Sequence, residues 1–178
     1  MRRFCLTLGL GAVAALAVSC PYFVPAFKAK GTDGVQYSEL TFAKKPTFIV
    51  FLKQGCPANP KGMPIVNELA AQLKDQVQVV GVINTDLAGA RKEVESSKIA
   101  FPVIPDPNKV IIGGFKAERS FDLTMVATKK EAKWAKVWSG LDDTNVQEAI
   151  EIIRKHGHEV KPVKLSSLGA KKVTGCSF

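Results

Sequence analysis

Thr47-Phe48-Ile49-Val50-Phe51-Leu52 is an unbroken run of β-branched, aromatic and aliphatic residues, and it stops abruptly at Gln54-Gly55-Cys56-Pro57. A strand that is apolar on both faces must be covered on both faces, as a central strand is when helices flank its sheet. The surrounding sequence supplies the cover. Met63, Ile65, Val66, Leu69, Ala70 and Leu73 recur at helical spacing from about Pro60 to Lys74, and Pro64 should kink that helix. Val77 to Ile83 reads as a second buried strand, and Asn84-Thr85-Asp86 offers an N-cap to a polar helix over about Leu87 to Ser97. Strand, helix, strand, helix implies right-handed crossovers and a parallel strand pair.

Beyond that unit, Phe101 to Pro107 is a rigid extended stretch and Lys109 to Phe115 forms a short helix. Leu123 to Thr128 and Ala135 to Ser139 read as strands, made a hairpin by Lys129-Lys130-Glu131. Strand alternation places Trp134 and Trp138 on one side of the sheet. Asp143 or Thr144 should cap a last helix with the stripe Val146, Ala149, Ile150 and Ile153; Gln147 completes a capping box and Gly157 ends the helix. Val35 to Leu40 adds a short strand. The fold class is α/β, in the order βαβα then ββα.

A chain of 178 residues suits one such domain. Residues 1–19 have the layout of a secretory signal: Arg2 and Arg3 precede an apolar run from Phe4 to Val18 that Pro21 closes too early for a comfortable membrane span. Ala17-Val18-Ser19-Cys20 resembles a bacterial lipobox, which makes Cys20 a candidate for lipidation, and an uncleaved anchor is the other reading. Residues 20–34 read as a tether, 35–157 as the domain, and 158–178 as a basic, loosely held tail. The formal charge of +9 is spread over many segments, without an Arg-rich helix or a basic strip interleaved with aromatics, so nucleic acid is not an expected partner.

Of four cysteines, Cys5 would leave with the signal and Cys20 would carry lipid. Cys56 and Cys176 remain for chemistry in an oxidising compartment. Cys56 stands where a buried strand hands over to a helix, a position that favours thiolate, and Pro57 suits the first helical turn.

These residues resemble the thioredoxin-like superfamily, in particular exported thiol-disulfide oxidoreductases of the TlpA/ResA type and redoxins of the AhpC/TSA type. The resemblance rests on Phe48 to Leu52 leading to Gly55-Cys56-Pro57-Ala58-Asn59, and on Met63-Pro64 after it. It implies a thioredoxin fold, a central mixed sheet flanked by helices, with Cys56 as the attacking thiol and no cofactor. Asn59 stands where the family's second cysteine would be, so the motif is monothiol and cannot resolve a mixed disulfide at that position. The family's cis-proline would fall near Asp122, and the strand before Cys56 lacks the family's buried acid.

Peroxiredoxins share the fold and attack with one cysteine. Lys53 occupies the place of their Thr or Ser, and Arg119 lies close to, but displaced from, the place of their guanidinium; either could supply positive charge. Cys176 is the available resolving thiol if the tail folds back, and otherwise a free thiol or one paired with another chain. His156 and His158 could in principle join Cys56 on a metal, but ligand count argues against a metal site. The expectation is an exported, envelope-located redox protein. It would act on a protein or small-molecule disulfide, or a hydroperoxide, with an external thiol as reductant, and would meet a membrane only through its signal or lipid. The other reading is a thioredoxin-fold binding module without turnover.

Overall fold

A computed structural model describes residues 22–127, 132–165 and 172–178. The expected signal, Cys20 and the turn at Lys129-Lys130-Glu131 lie outside the described residues. The chain runs β1 (Tyr22–Phe23), β2 (Lys28–Lys30), β3 (Gln36–Ser38), α1 (Glu39–Phe42), β4 (Thr47–Leu52), α2 (Asn59–Leu73), β5 (Gln78–Ile83), α3 (Leu87–Ser96), β6 (Val103–Pro105), α4 (Val110–Gly114), β7 (Leu123–Val126), β8 (Lys133–Trp138) and α5 (Asp143–Lys155). The main sheet has the order β1-β8-β7-β4-β5-β6, with β4, β5 and β6 parallel and β7 antiparallel to β4. This is the mixed, helix-flanked sheet of the thioredoxin fold.

β4 is buried along its whole length, and its side chains alternate between two cores. Phe48, Val50 and Leu52 join Met63, Val66 and Leu69 of α2 and Val146, Ile150 and Ile153 of α5. Ile49 and Phe51 enter the other core with Phe42, Ile111, Ile112 and Phe115. Each such side chain contributes roughly 1.5–3 kcal/mol on burial, so the continuous apolar run is what the two-sided layer requires. α2 continues through Pro64.

Several features depart from expectation, among them the strand expected over Val35 to Leu40, which is a strand only at Gln36–Ser38 before α1 begins. The N-cap of α5 is Asp142: its backbone is extended and its Oδ1 accepts the amide of Asn145 at 2.7 Å. Gln147 donates to Asp143 and to the carbonyl of Val163 and closes no capping box.

Trp134 and Trp138 lie on opposite faces, one in each core. Thr124 pairs with Val137 and Val126 with Trp134, so β8 carries one extra residue between these pairs, and that bulge reverses the alternation.

The segment read as a tether is part of the fold. β1 pairs with β8, the Val24 amide donates to Ala132, β2 pairs with β3, and the Thr32 hydroxyl accepts the Val103 amide at 3.0 Å. Val24, Phe27 and Ala29 pack on the second core, which explains why the segment does not stay free.

The tail is also fastened. Val160 and Val163 are buried, and residues 172–178 pair with two loops of the domain.

Candidate active site

β4 delivers Leu52 to the surface end of the sheet, where Lys53 to Ala58 turn the chain into α2. Gly55 has φ +66°, a left-handed conformation that a side chain would strain. The Cys56 amide donates to the Lys53 carbonyl at 3.2 Å, and the Asn59 amide donates to the Cys56 carbonyl at 2.9 Å. Cys56 therefore lies in a turn three residues ahead of α2. Pro57 is in that turn, exposed, and it is Pro60 that occupies the first helical turn.

Cys56 is 3% exposed, and what covers it is the end of the chain. Cys56 and Cys176 form a disulfide with 6.0 Å between their Cα atoms, closing a separation of 120 positions. The Cys176 amide donates to Cys56 Sγ at 3.2 Å.

Residues 172–178 form an extended strap. Ser120 donates its amide to the Cys176 carbonyl at 2.9 Å and accepts from the Gly175 amide at 2.9 Å; the Phe178 amide donates to Glu118 at 3.0 Å. Val173 and Leu141 exchange two hydrogen bonds of 2.8 Å. Lys53 Nζ donates to the Ser177 carbonyl at 2.6 Å, so this lysine serves the strap. Arg119 is exposed and meets the strap through its backbone, opposite Ser177. The approach is close enough to need glycine. A Cβ on Gly175 would lie 2.6 Å from Ser120 Cβ, and one on Gly140 would lie 2.8 Å from the Val173 carbonyl.

Behind the turn lies a polar cluster. Asn59, fully buried, donates through Nδ2 to the Lys53 carbonyl and to Glu93 Oε1, both at 2.8 Å, and its Oδ1 accepts the Ser120 hydroxyl at 3.1 Å. Glu93 accepts further hydrogen bonds from the Gly55 amide at 3.0 Å and the Ser97 hydroxyl at 2.8 Å. Burial pushes the Glu93 carboxyl up, but the hydrogen bonds from Asn59, Gly55 and Ser97 together outweigh it and hold the group below the usual carboxylate range. Asn59 and Glu93 thus form a four-way brace between the turn after β4, α2, α3 and the loop before β7.

That loop has no cis peptide bond. Asp122 is buried, and its carboxylate accepts the amides of Glu118 and Arg119 at 2.8 and 2.9 Å. Phe121 is fully buried with φ +68°, a strained conformation for a bulky side chain; its amide bonds the Phe51 carbonyl at 2.7 Å. His156 and His158 bond the carbonyls of Ile152 and Ala127. Among the described residues no cluster of His, Cys, Asp and Glu could hold a metal, and no helix is long and apolar enough to cross a membrane.

Glu93 and Ser120 are the members of this site that sequence reasoning missed. Glu93 hides in a helix read only as polar, although its spacing from Ala90 and Ser97 places all three on one face. Ser120 carries no local signal.

The model of the AhpC/TSA family matches residues 22–132, more than half of the chain. No curated protein matches. Among solved structures, the chain is similar to a secreted disulfide oxidoreductase of Mycobacterium tuberculosis homologous to E. coli DsbE, with 16% identity over 71% of this chain and 96% of that one and a TM-score of 0.55. Peroxidoxin BcpB of the same organism aligns at 15% identity over 75% and 98% of the two chains, TM-score 0.57. Peroxiredoxin Q of Xanthomonas campestris aligns at 14% over 73% and 90%, TM-score 0.56. At these identities the likeness concerns the fold alone.

Proposed function

The chain belongs to the AhpC/TSA family, and from that premise we propose that it is an exported thiol-redox protein whose working pair is Cys56 and Cys176. Cys56 is the attacking thiol and Cys176 the resolving one. The observation that carries this reading is the strap itself: a cysteine-bearing extended segment pairs by its backbone with Ser120 and presents its sulfur to Cys56. An extended peptide from a client would be held the same way.

In the reduced protein, the Cys56 thiolate attacks one sulfur of a client disulfide, and the client's other sulfur leaves as thiolate. The Cys176 thiolate then attacks Cys56 Sγ and expels the client's second thiolate. The client gains two electrons, and the Cys56–Cys176 disulfide is regenerated. An external dithiol resets it. Cys176 is the more exposed partner, so the reductant's first attack falls on its sulfur and Cys56 leaves, near the start of α2, where the helix dipole favours the anion. Asn59 supports this division of labour by bracing the turn.

The family membership favours a second reading, in which the Cys56 thiolate attacks a hydroperoxide. An alcohol leaves, Cys56 becomes a sulfenic acid, and Cys176 condenses with it, releasing water. The apolar N-terminal sequence supports export, and Cys20 supports a lipid or membrane anchor on the same terms.

The test is a Cys176→Ser protein. Disulfide exchange predicts mixed disulfides trapped on Cys56, and Cys56→Ser should lower their yield by about a thousandfold or more. Rapid peroxide consumption by Cys176→Ser without trapped clients would move the assignment to the peroxidase reading. Neither activity would leave a binding module.

A further inference from the structure

Five large apolar side chains are exposed among the described residues, and only two of them are chain neighbours: Tyr22, 49% exposed, and Phe23, 65% exposed. Both lie on β1, the outer strand of the sheet, which begins four residues beyond the apolar run that ends at Val18. Each ring has a lysine over it. Lys133 Nζ lies 4.6 Å from the Phe23 ring centre and Lys116 Nζ 5.9 Å from that of Tyr22. The patch is backed by a stack of rings. Tyr22 lies 4.9 Å from Trp134, whose indole N–H donates to the Phe23 carbonyl at 3.1 Å, and Trp134 lies 5.2 Å from Phe115.

The patch is also well away from the disulfide. Tyr22 pairs with Trp134, Trp134 with Val126, and Val126 with Thr47, so β1 is three strands across from β4 and level with its start rather than with the Cys56 end.

An amphipathic tyrosine ring and an apolar phenylalanine ring flanked by ammonium groups fit the interfacial zone of a bilayer, where the rings meet the acyl boundary and the ammonium groups the headgroup phosphates. We propose that the β1 edge is a membrane-resting surface: Tyr22 and Phe23 enter the interface of an anionic bilayer, and Lys116 meets its headgroups. The proposal rests on the reading of residues 1–20 as membrane-directed, and is independent of the redox assignment. It implies that the domain lies on its edge, with the Cys56–Cys176 end open to the aqueous side.

The test uses the full chain on phosphatidylglycerol-containing vesicles. In the unsubstituted protein, Lys116 should be acylated at least about threefold more slowly on vesicles than off them, while Lys92 on α3, at the other side of the sheet, is unchanged. With bromine-labelled acyl chains, Trp138→Phe protein, which reports Trp134, should lose about half its emission, and Trp134→Phe protein, which reports Trp138, much less. Phe23→Ser with Lys116→Glu should abolish that difference and leave client trapping at Cys56 intact. Failure to bind vesicles would overturn the proposal together with the anchor reading. Binding with equal protection of Lys116 and Lys92, or equal quenching of the two indoles, would overturn the resting surface alone.

Discussion

The two ends of the described chain are fastened by different chemistry. At the N-terminal end, β1 and β2 are paired strands, Val24 is buried, and Phe27 and Ala29 pack on a core. At the C-terminal end, residues 172–178 hold on by backbone hydrogen bonds to Ser120, Glu118 and Leu141, by the exposed Lys53–Ser177 and Lys172–Asp142 contacts and by one disulfide, with Val173 and Phe178 only partly buried. The first attachment is released only when the sheet opens. The second hangs on a bond that a thiol can cut, which is what a segment must have if it is to leave a reactive sulfur and return to it.

Reduction is the most direct way to break this contrast. Cutting the disulfide opens a 120-position separation and should lower unfolding stability by about 3–5 kcal/mol, read from urea titrations with and without reductant. In the reduced protein the Gly175 and Phe178 amides should exchange with solvent rapidly, whereas the Val24 amide, bonded to Ala132, keeps its protection. Loss of protection at all three together would mean the two ends are fastened alike.

A smaller effect separates the strap from the brace behind it. Glu93→Ala removes the acceptor of the Gly55 amide and the Ser97 hydroxyl and one of the two acceptors of Asn59 Nδ2, and should cost about 2–3 kcal/mol in the oxidised and reduced protein equally. Because the fold holds the Glu93 carboxyl below its ordinary range, its contribution is fully present above about pH 5 and is lost as pH falls through the lowered folded value. Glu93→Gln should flatten that acid limb of the stability curve.

The smallest effect is the most selective. Gly175→Ala forces a Cβ toward Ser120 and should destabilise the docked strap by about 1 kcal/mol, shifting the thiol–disulfide equilibrium toward the reduced form by about fivefold. The urea midpoint of the reduced protein should not move.

What could be read from the sequence was what depends on periodicity and local chemistry. The all-apolar run at β4, the stripe of α2 and a cap within Asn84-Thr85-Asp86, which Asp86 supplies, are visible because neighbouring residues determine them. The bulge that sends Trp134 and Trp138 to opposite faces was not, because an extra residue in one strand is defined only by its partner strand. Asp142 was passed over for Asp143 because both can cap and only the backbone conformation chooses. The strap joins residues dozens of positions apart through backbone groups that every residue carries, so nothing in its letters announces it; the Glu93 brace is made largely by the side chains of Asn59, Glu93, Ser97 and Ser120, but Asn59, Glu93 and Ser120 meet only once β4, α2 and α3 are packed. Lys53 was legible as a charge beside Cys56, but its partner, the Ser177 carbonyl, was not.

Closing Cys56 onto Cys176 turns most of the molecule into a covalent ring from which β4 and the strands before it lead out as a single thread. A pull between residue 22 and residue 178 can then pay out only that thread and the last two residues, roughly 120 Å of chain, against roughly 500 Å once the sulfurs part. The oxidised protein carries a covalent loop that limits its own extension, and a thiol sets the limit.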